Sequence, residues 1–281
     1  MGEPFVGSEA VARGEVLKSA LRTRYTRVFR DVYVSPGTEL TAEVRARAGW
    51  LWSRRRGIIA GRSAAALYGA KWVRPDEPLE MLHSNRNPMA GLKVRTERIE
   101  HDEITLHSGI PVTTLARTAL DMGCWYPRDL AVESLDALAA ATDLKPADVD
   151  LPLQRYAGRQ GVQRARVALE LMDAGGQSPK ETQLRLMILD DGMPRPETQI
   201  PVIDGPGDPF AFLDMGWDDL MVSVEYDGEQ HRLNDSQYRW DLRRAERVQR
   251  AGWLNVRVSA GERRVDILRR IHAARASRLS R

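Results

Sequence analysis

The chain has 281 residues, of which 42% are hydrophobic and 29% are charged, and it contains a single cysteine, Cys124. These values are typical of globular proteins and exclude wholesale disorder, a disulfide scaffold and a cysteine-based zinc site. The sequence has no run of 18 apolar residues and begins without a signal-peptide pattern. We therefore expect a cytoplasmic protein that does not enter a membrane.

The basic residues are unevenly distributed along the chain. The formal net charge is +3, but 37 of the 42 basic residues are arginines. Residues 13–30 contain six basic groups against one acid, and residues 45–62 contain six arginines and no acid. Arginine binds phosphate in a bidentate manner, so the distribution favours a polyanionic partner. Ordinary surface charge is the alternative.

The sequence divides into three pieces, at residues 1–75, 76–175 and 176–281. The length is compatible with two domains or three small ones. The boundary before residue 176 falls at Gly175-Gly176, where two glycines stop one helix and a capped helix follows. We expect a mixed α+β or α/β protein with an N-terminal winged helix, a middle α+β segment and a C-terminal nuclease-like domain.

The first piece has the element order of a winged helix. Residues 8–12 and 15–21 are predicted as two short helices, and residues 22–34 as two strands. A winged helix places one helix in the major groove of DNA and its hairpin on the backbone. A small helical subdomain with a hairpin has the same pattern. Further helices are predicted at 41–53 and 61–69.

Arginines in this piece are the candidate DNA contacts. They occupy the predicted hairpin and the three positions that follow the helix predicted at 41–53. The residues are Arg22, Arg24, Arg27, Arg30, Arg54, Arg55 and Arg56.

The middle piece shows no catalytic spacing, and its predicted role is connecting and packing. Short strands are expected first and amphipathic helices after them. The strands are predicted at 79–82, 94–99 and 104–110, and the helices at 115–122, 129–141 and 162–173.

The third piece is predicted to follow the order α-β-β-β-α-β-α. The helices are expected at 178–189, 235–251 and 262–277, and the strands at 198–203, 210–215, 221–226 and 253–258.

A hairpin in the third piece brings carboxylates together. A two-residue turn at Asp219-Leu220 places Asp214 opposite Glu225, with Asp227 on the same face. Opposed Cβ atoms lie about 4.5–5.5 Å apart, and like charges there are destabilising. A divalent cation held by the carboxylates would relieve the repulsion. The alternative is a solvated face that binds no metal.

Several stretches of the third piece resemble the very-short-patch-repair-type (Vsr-like) endonucleases of the PD-(D/E)xK superfamily. They are Ser178–Glu181 with Leu184-Arg185, Leu213-Asp214, Val224–Gly228 with Gln230-His231, Asp241 with Arg244, and Gly252-Trp253. The resemblance implies a restriction-endonuclease-like fold and a metal-dependent nuclease.

The same resemblance assigns roles to individual residues. It implies that Asp214 and Glu225 hold Mg²⁺ or Mn²⁺ and that Glu181 approaches the metal from its helix. Asp227 stands where many relatives have lysine, which puts activity in question, and His231 could supply the proton-handling group. Glu181 has an alternative role, because it is also the N3 residue of a capping box that begins at Ser178.

The first two pieces resemble, more weakly, the AbiEi-type antitoxins, in which an N-terminal winged helix binds DNA. The stretches that carry this resemblance are Val32–Val34, Ser63–Ala65 and Gly109–Thr113.

These observations lead to two main hypotheses. The first is a protein that binds duplex DNA and carries a Mg²⁺-dependent endonuclease domain. The second is a non-catalytic, antitoxin-like transcriptional regulator whose nuclease fold has lost its activity. A third is an RNA-cleaving enzyme. A protein partner or a homodimer is compatible with each of them.

Overall fold

The structure is a computed structural model. It describes residues 2–84, 89–205, 207–227 and 235–280, with the backbone alone described for 235–242.

The chain forms two compact units rather than three. The N-terminal unit ends at Met172 and the C-terminal unit begins at Asp173. This division lies close to the predicted boundary before residue 176. In contrast, the predicted pieces 1–75 and 76–175 fall in one unit.

The N-terminal unit begins with a small three-stranded sheet in the order β1-β3-β2. Its elements are β1 (Phe5–Val6), α1 (Gly7–Ala12), α2 (Lys18–Arg24), β2 (Thr26–Phe29) and β3 (Val32–Val34). Both strand pairs are antiparallel. The predicted order of two helices followed by a hairpin is present, and β1 adds a third strand that the sequence analysis missed.

Two of the predicted hairpin arginines lie elsewhere. Arg22 and Arg24 are on α2, which continues to Arg24 before the backbone becomes extended at Tyr25. Arginine is a good helix former and the segment contains no glycine or proline, so nothing stops the helix earlier. Arg27 lies on β2 and Arg30 in the turn that follows it.

The second sheet of the N-terminal unit has five strands in the order β6-β5-β4-β8-β7. The elements are α3 (Ala42–Trp52), β4 (Ile58–Ile59), α4 (Gly61–Leu67), β5 (Leu79–Leu82), β6 (Leu92–Arg95), β7 (Ile104–His107) and β8 (Ile110–Thr113).

This sheet explains two differences from the sequence analysis. Strand β4 pairs with β5 and β8, so the predicted boundary after residue 75 falls inside one sheet. The predicted strand at 104–110 is instead part of a hairpin. Ser108 and Gly109, with φ of 49° and 76°, form its turn. Consecutive left-handed residues are typical of the tight turns that join antiparallel strands.

Helices complete the N-terminal unit, and a buried ion-pair cluster joins them to the sheet. The helices are α5 (Leu115–Trp125), α6 (Arg128–Ala141), α7 (Asp150–Arg155) and α8 (Val162–Leu171). Arg117, which is fully buried, donates hydrogen bonds to Glu103 at 2.6 Å, to Asp121 at 2.9 Å and to the Tyr156 hydroxyl at 3.0 Å. A single guanidinium therefore connects α5 with the segment before β7 and with the end of α7.

The C-terminal unit follows the predicted order α-β-β-β-α-β-α. Its elements are α9 (Pro179–Asp190), β9 (Glu197–Val202), β10 (Ala211–Trp217), β11 (Val222–Asp227), α10 (Asp235–Arg250), β12 (Leu254–Ser259) and α11 (Arg264–Leu279). The sheet order is β12-β11-β10-β9, with β11 and β12 parallel and the other pairs antiparallel.

Two apolar clusters hold this sheet to its helices. Met215 and Val224 pack with residues of α9 and α11, including Ile188 and Ile271. Leu213 packs in a second cluster that includes Val248 of α10. Residues from neighbouring strands thus anchor helices in two separate cores. In the part of the chain that the structure describes, no helix is long and apolar enough to cross a bilayer.

The buried cluster predicts a large effect of replacing Arg117. Arg117→Met removes one donor from each of the buried Glu103 and Asp121 carboxylates, which keep Arg155 and Arg159 as partners. The free energy of unfolding should fall by about 3–5 kcal/mol, the cost of removing one partner from a buried ion pair. Urea denaturation followed by circular dichroism measures the change. Arg98→Met is the matched control, because Arg98 pairs with Glu100 at the surface and its side chain is 76% exposed. The control should cost less than about 1 kcal/mol. Equal effects of the two substitutions would contradict the role of Arg117.

Candidate functional site

The register of the β10–β11 hairpin agrees with the prediction. The observed pairs are Met215 with Val224 and Gly216 with Ser223, and the same register, extended by one residue, places Asp214 opposite Glu225. The connection is longer than the predicted two-residue turn, since it comprises a 3₁₀ turn at Asp218–Leu220. Because the loop is centred on the same point of the chain, the register is unchanged.

Asp214 lies where pairing with β9 is interrupted. Leu213 pairs with Ile200 and Met215 with Thr198, and the intervening Gln199 has a left-handed φ of 52°. The Asp214 Oδ2 atom accepts a hydrogen bond from the Tyr226 backbone N–H at 2.9 Å.

Burial raises the pKa of Asp214 to about 7. The negative charges of Glu181 and Glu225 also raise this pKa, whereas the Tyr226 N–H and the Arg244 guanidinium lower it. The Glu181 and Glu225 carboxylates therefore act electrostatically on Asp214. Asp214 can therefore take up a proton near neutral pH.

Glu225 is buried, and both of its oxygens have partners. Its Oε1 accepts a hydrogen bond from Arg244 Nη2 at 2.9 Å, and its Oε2 accepts one from the Asn255 side-chain amide. The same Arg244 nitrogen donates to the Phe212 carbonyl at 2.7 Å. A guanidinium on α10 thus provides positive charge beside the carboxylate pair.

Glu181 adopts the capping geometry that was the alternative to a metal role. Ser178 is the N-cap of α9, and its Oγ accepts from the Glu181 N–H at 3.2 Å. In return, Glu181 Oε1 accepts from the Ser178 hydroxyl at 2.8 Å, and Oε2 accepts from the Gln177 N–H at 3.0 Å. Both oxygens are used at the helix terminus.

The two remaining predicted catalytic residues are Asp227 and His231. Asp227 ends β11 and is in register with Ser259 of β12. His231 lies outside the described residues.

A divalent metal ion at this position would compete with hydrogen bonds that the described carboxylates already accept. Within the ranges that the structure describes, no group of three or more histidine, cysteine, aspartate or glutamate residues could hold one. Glu225 is engaged by Arg244 and Asn255, and Glu181 is engaged at its helix terminus. A cation at this position would share the Glu225 carboxylate with Arg244 or compete with it.

Sequence reasoning missed the partners of Glu225. Arg244 was interpreted as a possible partner for acids on its own helix, and Asn255 was not singled out. The parallel pairing of Ser223 with Asn255 places Asn255 beside the strand that carries Glu225. The sequence carried no clear signal for this contact, because β12 also contains the polar residues Arg257 and Ser259. Only the β11–β12 register identifies Asn255 as a neighbour of Glu225.

The seven predicted DNA-contacting arginines are all exposed, and they lie on the N-terminal unit. Arg55 forms a bidentate ion pair with Glu9, with both nitrogen–oxygen distances at 2.7 Å. This pairing lowers the pKa of Glu9. Among the described residues, the other six have no carboxylate within ion-pair distance. Their charge is available to a polyanion.

Comparison with known proteins supports the antitoxin resemblance of the N-terminal unit. Residues 57–171 match the model of the AbiEi antitoxin C-terminal domain. This range begins before β4 and ends with α8, so it covers the larger sheet and the helices packed on it.

Two uncharacterized proteins of Mycobacterium tuberculosis are similar over most of the chain. They are MT2308 of strain CDC 1551 / Oshkosh and Rv2248 of strain H37Rv. Each is 27% identical over 263 residues, which is 91% of this chain and 91% of the relative. The crystal structure of the RV2827C protein from Mycobacterium tuberculosis aligns with 71% of this chain and 79% of its own, at 16% identity and a TM-score of 0.42.

The raised pKa of Asp214 predicts a pH-dependent stability. The ordinary pKa is 3.8 and the folded value is about 7, so the folded state binds a proton more tightly than the unfolded state. The free energy of unfolding should therefore fall as pH rises from about 4 to about 7. Asp214→Asn mimics the neutral acid, and it should be more stable than the wild type at pH 8 by about 2 kcal/mol or more.

Urea titrations at pH 4.5 and pH 8 measure this difference. Asp219→Asn is the matched control, because Asp219 is exposed in the neighbouring turn and should show no such gain. If the free energies of unfolding of the wild type and Asp214→Asn differ by the same amount at pH 4.5 and at pH 8, the prediction is wrong.

Proposed function

We propose that this protein is an antitoxin-like regulator that binds DNA through its N-terminal unit. The observation that carries the proposal is the match of residues 57–171 to an AbiEi antitoxin domain, directly after a segment rich in exposed arginines. The function would be recognition of duplex DNA, with a protein partner or a second copy of the chain as further components.

The charge of the N-terminal unit supports DNA binding. Six exposed arginines have no carboxylate within ion-pair distance among the described residues. Such arginines can contact phosphates and release condensed counterions, which supplies affinity independent of sequence. The elements α1, α2 and the β2–β3 hairpin have the order of a winged helix, in which a helix contacts bases and the hairpin contacts the backbone.

Replacing arginines tests the DNA-binding surface. Arg24→Gln, Arg27→Gln and Arg30→Gln combined should weaken binding to unrelated duplexes about equally, because phosphate contacts carry no sequence information. The plot of log affinity against log salt should flatten by about 0.9 for each phosphate that the variant no longer neutralises. Fluorescence anisotropy at several salt concentrations measures both quantities.

The matched control replaces three exposed arginines of the C-terminal unit with glutamine, namely Arg263, Arg264 and Arg269. It removes the same charge and should bind like the wild type. If the two triple variants bind equally well, the N-terminal arginines are not the contact surface.

A second candidate function is Mg²⁺-dependent cleavage of DNA by the C-terminal unit. The observation that favours it is the register of β10 and β11, which, extended by one residue, places Asp214 opposite Glu225, the two residues that the nuclease resemblance assigns to the metal. The order of elements in this unit is also the one expected of a restriction-endonuclease-like fold. The contacts of Arg244 and Asn255 with Glu225 oppose it, since they occupy both oxygens of a proposed metal ligand.

Plasmid cleavage and thermal melting decide this second candidate. If the C-terminal unit is a nuclease, Mg²⁺ or Mn²⁺ should produce nicked plasmid and raise the melting temperature, because the ion binds only the native state. Asp214→Asn should abolish both effects, whereas Asp219→Asn should keep them. No nicking and no melting shift in the wild type would leave the regulator as the sole candidate.

A further inference from the structure

A groove of about 1010 Å³ lies in the N-terminal unit. The turn after β2 and the loop after α3 both contribute to its lining, together with residues that follow β5. Its polar and aromatic lining residues include Arg30, Trp52, Arg54, Arg56 and His83. We call it the arginine groove.

The arginine groove carries an excess of unpaired positive charge. Arg30, Arg54 and Arg56 have no carboxylate within ion-pair distance among the residues described. The two acids that line the groove already have donors. Glu9 is held by Arg55 at 2.7 Å, and Asp31 accepts from the Ser8 N–H at 2.9 Å and from its hydroxyl at 2.5 Å. The three arginines are thus available to an anionic ligand.

The backbone that presents these arginines is strained. Arg54 and Arg55 are consecutive left-handed residues, with φ of 56° and 62°. The Ser53 Oγ holds this loop by accepting the N–H groups of Arg56 at 3.2 Å and Gly57 at 2.7 Å. Non-glycine residues in this conformation cost free energy and are concentrated at functional sites.

An aromatic pair accompanies the arginines. The rings of Trp52 and His83 lie 6.2 Å apart between centroids, at 59° to one another, and both side chains are half-buried. Burial lowers the pKa of His83, and the Arg56 charge lowers it further. His83 is therefore neutral at pH 7 and presents an uncharged ring.

We propose that the arginine groove binds a single-stranded segment of nucleic acid, with its phosphates on Arg30, Arg54 and Arg56 and its bases against Trp52 and His83. The inference rests on the proposed nucleic-acid binding by the N-terminal unit and adds which form of nucleic acid this groove takes. A basic concave surface with aromatic rings suits unstacked bases. Duplex DNA is instead read by a protruding helix or ribbon that enters its major groove.

Binding of three fluorescent probes to the full-length chain tests the proposal: a short oligo-dT, a short oligo-U and a mixed-sequence duplex. Arg54→Gln with Arg56→Gln should weaken binding of the oligonucleotides and flatten their salt dependence by about 0.7 for each phosphate left without its arginine. Arg263→Gln with Arg269→Gln is the control and should change neither. A preference for oligo-dT or for oligo-U would assign the groove to DNA or to RNA.

The aromatic residues give a separate signature. Trp52→Leu should weaken oligonucleotide binding about fivefold or more, the lower range for one base–aromatic stack, without changing the salt slope. Because Trp52 also packs against the core, His83→Ala is the second variant and should change affinity in the same manner. Unchanged oligonucleotide affinity in His83→Ala and in the double arginine variant would overturn the proposal.

The outcome separates this inference from the proposed function. If the wild type binds duplex but no oligonucleotide, or if the double arginine variant weakens both equally, the groove is not a single-strand site and the regulator proposal stands. If the wild type binds none of the three probes, the proposed function itself fails.

Discussion

Two carboxylates that face each other across β10 and β11 impose the constraint on which the C-terminal unit depends. The register of the pairs Met215–Val224 and Gly216–Ser223, extended by one residue, places Asp214 opposite Glu225. Like charges directly opposite each other on paired strands oppose folding. Side chains within the same unit offset this repulsion. Arg244 and Asn255 hold Glu225, and the pKa of Asp214, at about 7, allows that residue to be protonated near neutral pH. The pair is therefore compatible with folding without a bound ion.

The N-terminal unit uses arginine in two opposite ways. Arg117 is buried and surrounded by acceptors, so it fixes α5 against the rest of the unit and has no free charge to offer. The arginines around the loop after α3 are exposed, and Arg54 and Arg56 lack carboxylate partners among the described residues. Burial costs too much for an unpaired charge. Charge without partners therefore lies at the surface, where it remains available to an anionic ligand.

Local patterns in the sequence predict the element order of the C-terminal unit and the register of its hairpin, because alternation and turn position act over a few residues. They do not predict Arg244 or Asn255 as partners of Glu225. Those contacts depend on the packing of α10 and on the parallel pairing of β11 with β12, which join residues distant in sequence. Strand β4 was missed for a related reason, since two residues carry no periodicity and β4 exists only through its neighbours.

The same contacts bear on the choice between a regulator and a nuclease. A hydrogen bond to a charged group contributes about 1.5–3 kcal/mol. A cation that binds Glu225 therefore competes with Arg244 for the carboxylate and also gives up part of its own hydration. DNA binding by the exposed arginines requires no comparable rearrangement, since most of them have no ion-pair partner to release among the described residues. The arrangement of charge within each unit thus favours a protein whose N-terminal unit engages nucleic acid, while its C-terminal carboxylates are neutralised from within.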